Sequence, residues 1–124
     1  ALALVKTARD IGVRRVSITH ASLQFLGLTP ELQKDLVRLG AFIEHSFVGC
    51  TALNPHPLSI AEISAQILAV GPEHCTLSTD LGQVLNPPPV AGFTTFAEGL
   101  VRAGTSVSQL RRMVVENPRM LLGI

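Results

Sequence analysis

The chain has 124 residues, which is about one domain's worth and too few for two independent domains. Its 10 Lys and Arg residues nearly balance its 9 Asp and Glu residues, which argues against a dedicated nucleic-acid binder. The hydrophobic fraction is 47% and the mean hydropathy is +0.40, yet no apolar run approaches the ~18–20 residues that span a bilayer. We therefore expect a soluble cytoplasmic domain that binds neither nucleic acid nor membrane, with part of its apolar surface covered by other protein.

The two cysteines, Cys50 and Cys75, show no paired spacing and belong to no metal-binding CxxC pattern. Without a recognisable signal peptide, reduced thiols in the cytoplasm are the simpler interpretation. The chain opens at Ala1 inside a helix-like pattern. Together with the apolar composition, this favours a piece of a longer chain over a protein that has lost its first Met.

Helical and strand-like patterns alternate along the sequence. Apolar spacing and turn residues predict helices over residues 1–10, 29–39, 59–70, 92–103 and 107–116, and strands over residues 13–19, 41–47 and 75–79. Asn117 and Pro118 are expected to stop the last helix. Such alternation predicts an α/β fold with a parallel sheet and right-handed crossovers. Three parallel strands leave both sheet edges bare, so we expect a second copy or a further part of the chain to pair with them.

Two polar residues follow predicted strands at equivalent places. Asp80 directly follows the third predicted strand, and His20 directly follows the first. At the carboxyl end of a parallel strand, a carboxylate can bind a divalent metal or act as a general base, and an imidazole can bind a metal. The alternatives are an Asp80 that caps the following turn and a His20 that bonds a loop carbonyl.

Glu44 and His45 are neighbours within the second predicted strand, so their side chains point to opposite faces of the sheet. The pattern does not decide which of them faces the interior. A buried carboxylate needs a partner charge or a hydrogen bond. We therefore expect an ion pair or a supporting hydrogen bond for each of them rather than a direct role.

Three further polar residues are candidates for substrate binding. His56 lies in a loop between prolines, and Gln83 and Asn86 follow Asp80 on its loop. The alternatives are a solvated loop histidine and amides that form a turn. His74 precedes the third strand and is expected at the opposite, structural end of the sheet.

Three stretches of this chain are similar to parts of the amidohydrolase superfamily. They are Ile18-Thr19-His20, Ser78-Thr79-Asp80-Leu81-Gly82-Gln83 and the tail from Glu116 to Ile124. With Asn-Pro-x-Pro after the second stretch, the chain most resembles an uncharacterised branch of these metal-dependent hydrolases. The resemblance implies that the three strands are the sixth to eighth of a (β/α)8 barrel, also called a TIM barrel.

The resemblance also implies roles for two residues. His20 would be a metal ligand, and Asp80 would bind metal and take the proton of the attacking water. The implied cofactor is a divalent metal, zinc first, with manganese or iron as alternatives. The implied reaction is hydrolysis of an amide, lactone or ester-type bond in a small molecule.

The family's His-x-His pair and its ligands from the fourth and fifth strands have no counterpart in this sequence. Two ligands do not make a catalytic zinc site, which needs about three protein groups and water. The sequence therefore predicts a part-site, inactive until another copy or the rest of a longer chain completes the barrel. The rival interpretations are a barrel piece without catalysis and a small α/β binding or assembly module.

Overall fold

The computed structural model describes residues 1–124 and has an α/β fold with a three-stranded parallel sheet. In chain order the elements are α1 (Leu2–Asp10), β1 (Val16–Ile18), α2 (Pro30–Arg38), β2 (Ala41–Ser46), α3 (Ile60–Val70), β3 (Cys75–Ser78), α4 (Pro89–Arg102), α5 (Val107–Arg111) and α6 (Asn117–Leu122). The predicted alternation and the parallel sheet are thus confirmed. No helix has both the length and the apolar character that crossing a membrane requires.

The strands lie in the order β1-β2-β3, so that β2 pairs with both neighbours. Ile18 lies opposite Ile43, and Ile43 lies opposite Cys75. Since all strands run in one direction, their carboxyl ends meet at the same edge. The turn after β1 and the loop after β3 are therefore brought together.

The two faces of the sheet differ in chemistry. On one face, Ala41, Ile43 and Cys75 join a hydrophobic core whose helical members include Leu36 and Ile67. On the other face, the register and the strand alternation bring together mostly hydroxyl and carboxylate side chains. We call it the polar face; it consists of Ser17, Phe42, Glu44, Ser46, Thr76 and Ser78.

The first strand is shorter than predicted: residues 13–19 were expected, and β1 spans Val16–Ile18. Val16 pairs with Ala41, the first residue of β2, so the residues before Val16 have no strand to pair with. The guanidinium of Arg9 instead donates hydrogen bonds to the carbonyls of Val13 and Arg14. These carbonyls are turned toward α1 and do not enter a strand ladder. A side-chain contact of this kind has no signature in strand propensity.

The last predicted helix boundary is wrong, because the chain does not stop at Asn117 and Pro118. A π-helical segment, Arg112–Glu116, leads directly into α6. Pro118 falls in the first turn of α6, where its missing N–H is tolerated. The buried side chain of Asn117 donates to the carbonyls of Pro72 (2.8 Å) and Cys75 (2.6 Å), which fixes α6 beneath β3.

The prolines before the fourth helix also shift a boundary. The helix was expected from residue 92, and α4 begins at Pro89. Proline fits the first helical position because its fixed φ is already helical and its N–H is not needed there. Gly92 inside this helix is buried, and a Cβ at that position would overlap a methyl group of Leu81. Close packing at Gly92 thus ties α4 to the loop that follows Asp80.

Candidate functional site

The structure brings His20 and Asp80 together at the carboxyl edge of the sheet. Nε2 of His20 lies 3.6 Å from Oδ2 of Asp80, although the two residues are 60 positions apart in the sequence. The side chain of His20 is 32% exposed and that of Asp80 is 47% exposed. The two residues singled out from the sequence therefore share one solvent-accessible site.

The backbone beside each of these residues is tied to β2. The N–H of Ala21 donates to the carbonyl of Glu44 at 2.9 Å, and the N–H of Val48 donates to the carbonyl of Thr79 at 3.0 Å. Both bonds continue the strand pairing one step beyond the strands. The sheet thus fixes the main chain next to His20 and next to Asp80, and the distance between the two side chains follows from it.

His20 and Asp80 share an uncommon backbone conformation. They are the non-glycine residues with positive φ in this chain, at 60° for His20 and 50° for Asp80. Left-handed backbone is disfavoured for residues with a Cβ, although His and Asp tolerate it better than most, and such positions concentrate at functional sites. In both cases it turns the chain away at the end of a strand.

Glu44 supports this site from the polar face. One of its carboxylate oxygens, Oε2, accepts a hydrogen bond from the backbone N–H of His20 at 2.6 Å and lies 3.7 Å from Nδ1 of its ring. The other, Oε1, accepts from the hydroxyl of Ser78. The sequence predicted a supporting hydrogen bond for Glu44, and that is what the structure has. The sequence pattern did not indicate that this bond would hold the His20 turn.

The imidazole of His20 is oriented by Ser46, a residue that sequence reasoning missed. Nδ1 of His20 lies 3.0 Å from Oγ of Ser46, which leaves Nε2 directed at Asp80. The alternative of a histidine bonded to a loop carbonyl is therefore wrong. The strand register could have indicated Ser46 as a site residue, since Ser46 and Ser78 lie opposite each other at the ends of β2 and β3, where the site lies.

The side chain of Asp80 does not cap the turn that follows it. The N–H of Leu81 is accepted by the hydroxyl of Thr79 at 3.4 Å, and Gln83 donates to the main-chain carbonyl of Asp80 at 3.1 Å. No protein donor forms a hydrogen bond to the Asp80 carboxylate, whose ionisable neighbour within 4 Å is His20. The capping alternative is wrong, and the carboxylate is free for a ligand.

A divalent metal fits this site in part. His20 presents Nε2 while its other ring nitrogen is held by Ser46, the arrangement typical of metal-ligating histidines. Oδ2 of Asp80 lies beside it as a second donor. Both oxygens of Glu44 are already engaged, and the chain holds no group of three or more His, Cys, Asp or Glu residues placed to bind one metal ion. The residues present supply two positions of a metal site.

His45 faces away from the site, which settles the orientation that the sequence left open. Its ring is fully buried on the core face, with Nδ1 2.5 Å from Oγ of Ser22 and Nε2 3.8 Å from Sγ of Cys75. Burial lowers the pKa of His45 to about 4 and raises the pKa of the Cys75 thiol to about 12, with Glu73 adding to the latter. Both groups are neutral at physiological pH. Cys75 and Cys50 are free thiols, as predicted.

A cleft of about 280 Å³ opens beside Asp80. Of the predicted substrate-binding residues, Gln83 lines it, whereas Asn86 donates to Oε1 of Gln83 at 2.8 Å and stays behind it. His56 is exposed, and its N–H donates to Oδ1 of Asn54 at 3.2 Å. The ring of His56 does not line this cleft, and a role for His56 in substrate binding stays a prediction. His74 lies in a turn before β3, at the opposite end of the sheet as predicted.

Fold and site together define a class: a parallel α/β protein with a histidine–carboxylate pair at the carboxyl ends of its strands. The model of a family of unknown function, DUF6282, matches residues 1–44. The matched stretch contains His20 and Glu44 and ends before Asp80. No curated protein and no solved structure matches the chain. What the site does has to be argued from its own residues.

Proposed function

We propose that this chain supplies part of the active site of a metal-dependent hydrolase of the amidohydrolase kind, which uses metal-activated water against an amide, lactone or ester-type bond. The observation that carries this proposal is the 3.6 Å approach of His20 Nε2 to Asp80 Oδ2. Neither atom forms a hydrogen bond elsewhere in the protein, and both belong to left-handed residues at strand ends. A histidine nitrogen and a carboxylate oxygen are suitable ligands for zinc, manganese or iron.

The sheet supports a place for these units in a (β/α)8 barrel. Consecutive parallel strands lie side by side in chain order, as they do around such a barrel. The hydrophobic core with the helices lies on one face, and the polar face carries Glu44 and Ser78 near the site. In a closed barrel the first would be the outer face and the second the inner one. Strands β1 and β3 would then be continued by neighbouring units.

Each residue of the site has a distinct task under this proposal. A bound divalent metal lowers the pKa of its water toward neutrality and so supplies the nucleophile. Nε2 of His20 and Oδ2 of Asp80 are the donors that this chain offers. Asp80, whose carboxylate accepts no other hydrogen bond, takes the proton of the attacking water and passes it to the leaving group. Glu44 and Ser46 hold His20 in position.

A catalytic site needs more than this chain offers. About three protein ligands and a water are required, and His20 and Asp80 are two. The remaining ligands would come from other βα units, in a longer chain or in a second chain beside it. The free thiols Cys50 and Cys75 suit a reducing compartment, so we place this hydrolase in the cytoplasm.

Manganese titration followed by NMR tests the metal pair. Mn²⁺ broadens nearby resonances, so the signals of His20 and Asp80 should disappear first. His74 and Glu73 form an internal control, because Nε2 of His74 lies 3.8 Å from Oε1 of Glu73, a pair of similar composition and exposure. No serine holds the ring of His74. We expect the His20 site to bind Mn²⁺ more tightly than the His74 site.

Two matched substitutions complete this test. Asp80→Asn should abolish the selective broadening at His20, whereas Asp35→Asn should not. Asp35 is a suitable match because its side chain is 48% exposed, as against 47% for Asp80, and pairs with Arg38 away from the site. Equal broadening at His20 and His74, or broadening at His20 that survives Asp80→Asn, would exclude the proposed metal pair.

A further inference from the structure

The cleft beside Asp80 is apolar on most of its wall. It holds about 280 Å³, somewhat below the ~300–1,000 Å³ of pockets for drug-sized ligands. Its apolar walls come from two segments, the turn after His20 with Leu23 and Phe25, and the stretch after β2 with Val48 and Leu53. Phe25 is 76% exposed, an unusual position for a large aromatic ring. These walls adjoin the candidate catalytic carboxylate.

The walls of the cleft are held in place by local contacts. The N–H of Leu23 donates to the carbonyl of His20 at 2.9 Å, so the turn that carries Leu23 begins at the site. A Cβ at Gly49 would lie 3.4 Å from a methyl of Leu23, so the two segments lie close together there. The side chain of Asn54 closes the loop on the other side, donating to the carbonyls of Gly49 (2.9 Å) and His56 (3.0 Å).

Few polar groups around this cleft remain free for a ligand. Both N–H groups of the Asn54 amide are used in its loop, and its oxygen accepts from the N–H of His56. The oxygen of Gln83 accepts from Gly82 and Asn86, and one of its two N–H groups donates to the Asp80 carbonyl. Among the side chains, what remains is one donor, the second N–H of Gln83, and one strong acceptor, the Asp80 carboxylate.

From this inventory we infer that the cleft binds the apolar substituent of a small neutral amide, and that Phe25 and Leu53 set the preference for that substituent. The amide N–H faces the carboxylate of Asp80, and the amide carbonyl accepts from the free N–H of Gln83. An ester or a lactone lacks the N–H and would leave the carboxylate without a donor, so the polar groups favour the amide. This inference rests on the proposed function. Of the amide, lactone and ester bonds named there it selects the amide, and it adds that the substrate carries an apolar substituent.

The size of the effect follows from the burial of methylene groups. Complete burial of one methylene is worth about a fourfold gain in affinity, and an open cleft gives part of it. We expect the Kd of straight-chain primary amides to fall about twofold to fourfold for each added methylene until the cleft is full. Removing the Phe25 ring should reduce this dependence on chain length without abolishing it.

The probes are acetamide, butyramide and hexanamide, titrated into the metal-free protein and followed by the NMR signals of Gln83, Asn54 and Asp80. The expected result is a Kd that decreases in that order, with shifts confined to the cleft. Phe25→Ala should weaken hexanamide binding about fivefold and leave acetamide unchanged. Leu122→Ala, which truncates an exposed leucine of α6 outside the cleft, serves as the control and should bind hexanamide normally.

Ethyl butyrate tests the choice of an amide, since this ester should bind more weakly than an amide of similar size. Asp80→Asn should reduce the difference in Kd between the ester and the amide. A Kd independent of chain length, or unchanged by Phe25→Ala, would overturn the assignment of the cleft. Because these titrations contain no metal, they can fail while the manganese test succeeds. They can also succeed while the manganese test fails. Failure of the metal pair and failure of the cleft are therefore distinguishable.

Discussion

At the scale of single residues, His45 is the group whose protonation most directly opposes folding. Its ring is buried between Ser22 and Cys75, and burial lowers its pKa from 6.5 to about 4. The unfolded chain therefore takes up this proton at a higher pH than the folded protein does. Stability from this source is complete above pH 6.5 and is lost as the pH falls toward 4.

We predict that the free energy of unfolding decreases by about 3 kcal/mol between neutral pH and pH 4 because of His45 alone. Urea titrations at a series of pH values measure this change. His45→Gln, which keeps a hydrogen-bonding group but cannot titrate, should flatten the pH dependence. His74→Gln, at a partly exposed position, is the control and should keep it. An unchanged slope in His45→Gln would contradict the assignment.

At the scale of elements, the crossover helix α3 begins at a reciprocal cap. The hydroxyl of Ser59 accepts from the N–H of Glu62 at 3.2 Å, and the Glu62 carboxylate accepts from the N–H of Ser59 at 2.7 Å. The hydroxyl and the backbone N–H of Ser59 together lower the pKa of Glu62. Because α3 packs against α2 and α4, its start affects the stability of the whole helical layer.

We predict that Ser59→Ala lowers the free energy of unfolding by about 1 kcal/mol, measured by urea denaturation at neutral pH. The pKa of Glu62 should rise in the same variant, as measured by NMR titration of its carboxylate. Ser17→Ala is the control, since Ser17 is exposed and its side chain forms no hydrogen bond in the protein. A pKa of Glu62 unaffected by Ser59→Ala would show that the cap does not form in solution.

The elements also show how far sequence reasoning reaches. Local signals sufficed for the order of helices and strands and for strand-end placement of His20 and Asp80, because periodicity and turn residues act over a few positions. Contacts between distant segments escaped it. Arg9 ties α1 to the carbonyls of Leu39 and Gly40, 30 and 31 positions away, and Asn117 anchors α6 through carbonyls 45 and 42 positions away. The support of His20 by Glu44 and Ser46 likewise depends on strand register, which propensity does not specify.

At the scale of the whole molecule, one sheet carries both halves of the candidate site. His20 follows β1, a three-residue edge strand with a single neighbour, whereas Asp80 follows β3. The central strand holds them in register, and Ile43 lies in its middle, opposite Ile18 on one side and Cys75 on the other. The side chain of Ile43 is fully buried in the core. Loss of its packing therefore weakens both strand pairings at once.

We predict that Ile43→Ala lowers the free energy of unfolding by about 2–5 kcal/mol, because a cavity replaces a fully buried side chain. Ile11→Ala removes the same atoms from an exposed position after α1 and should change stability by less than about 0.5 kcal/mol. Native-state hydrogen exchange gives the finer measurement. If the sheet is one cooperative unit, the slowest amides of β2 and β3 lose protection equally in Ile43→Ala. Faster exchange in β1 alone would mean that this edge opens independently, carrying His20 away from Asp80 while the rest of the fold persists.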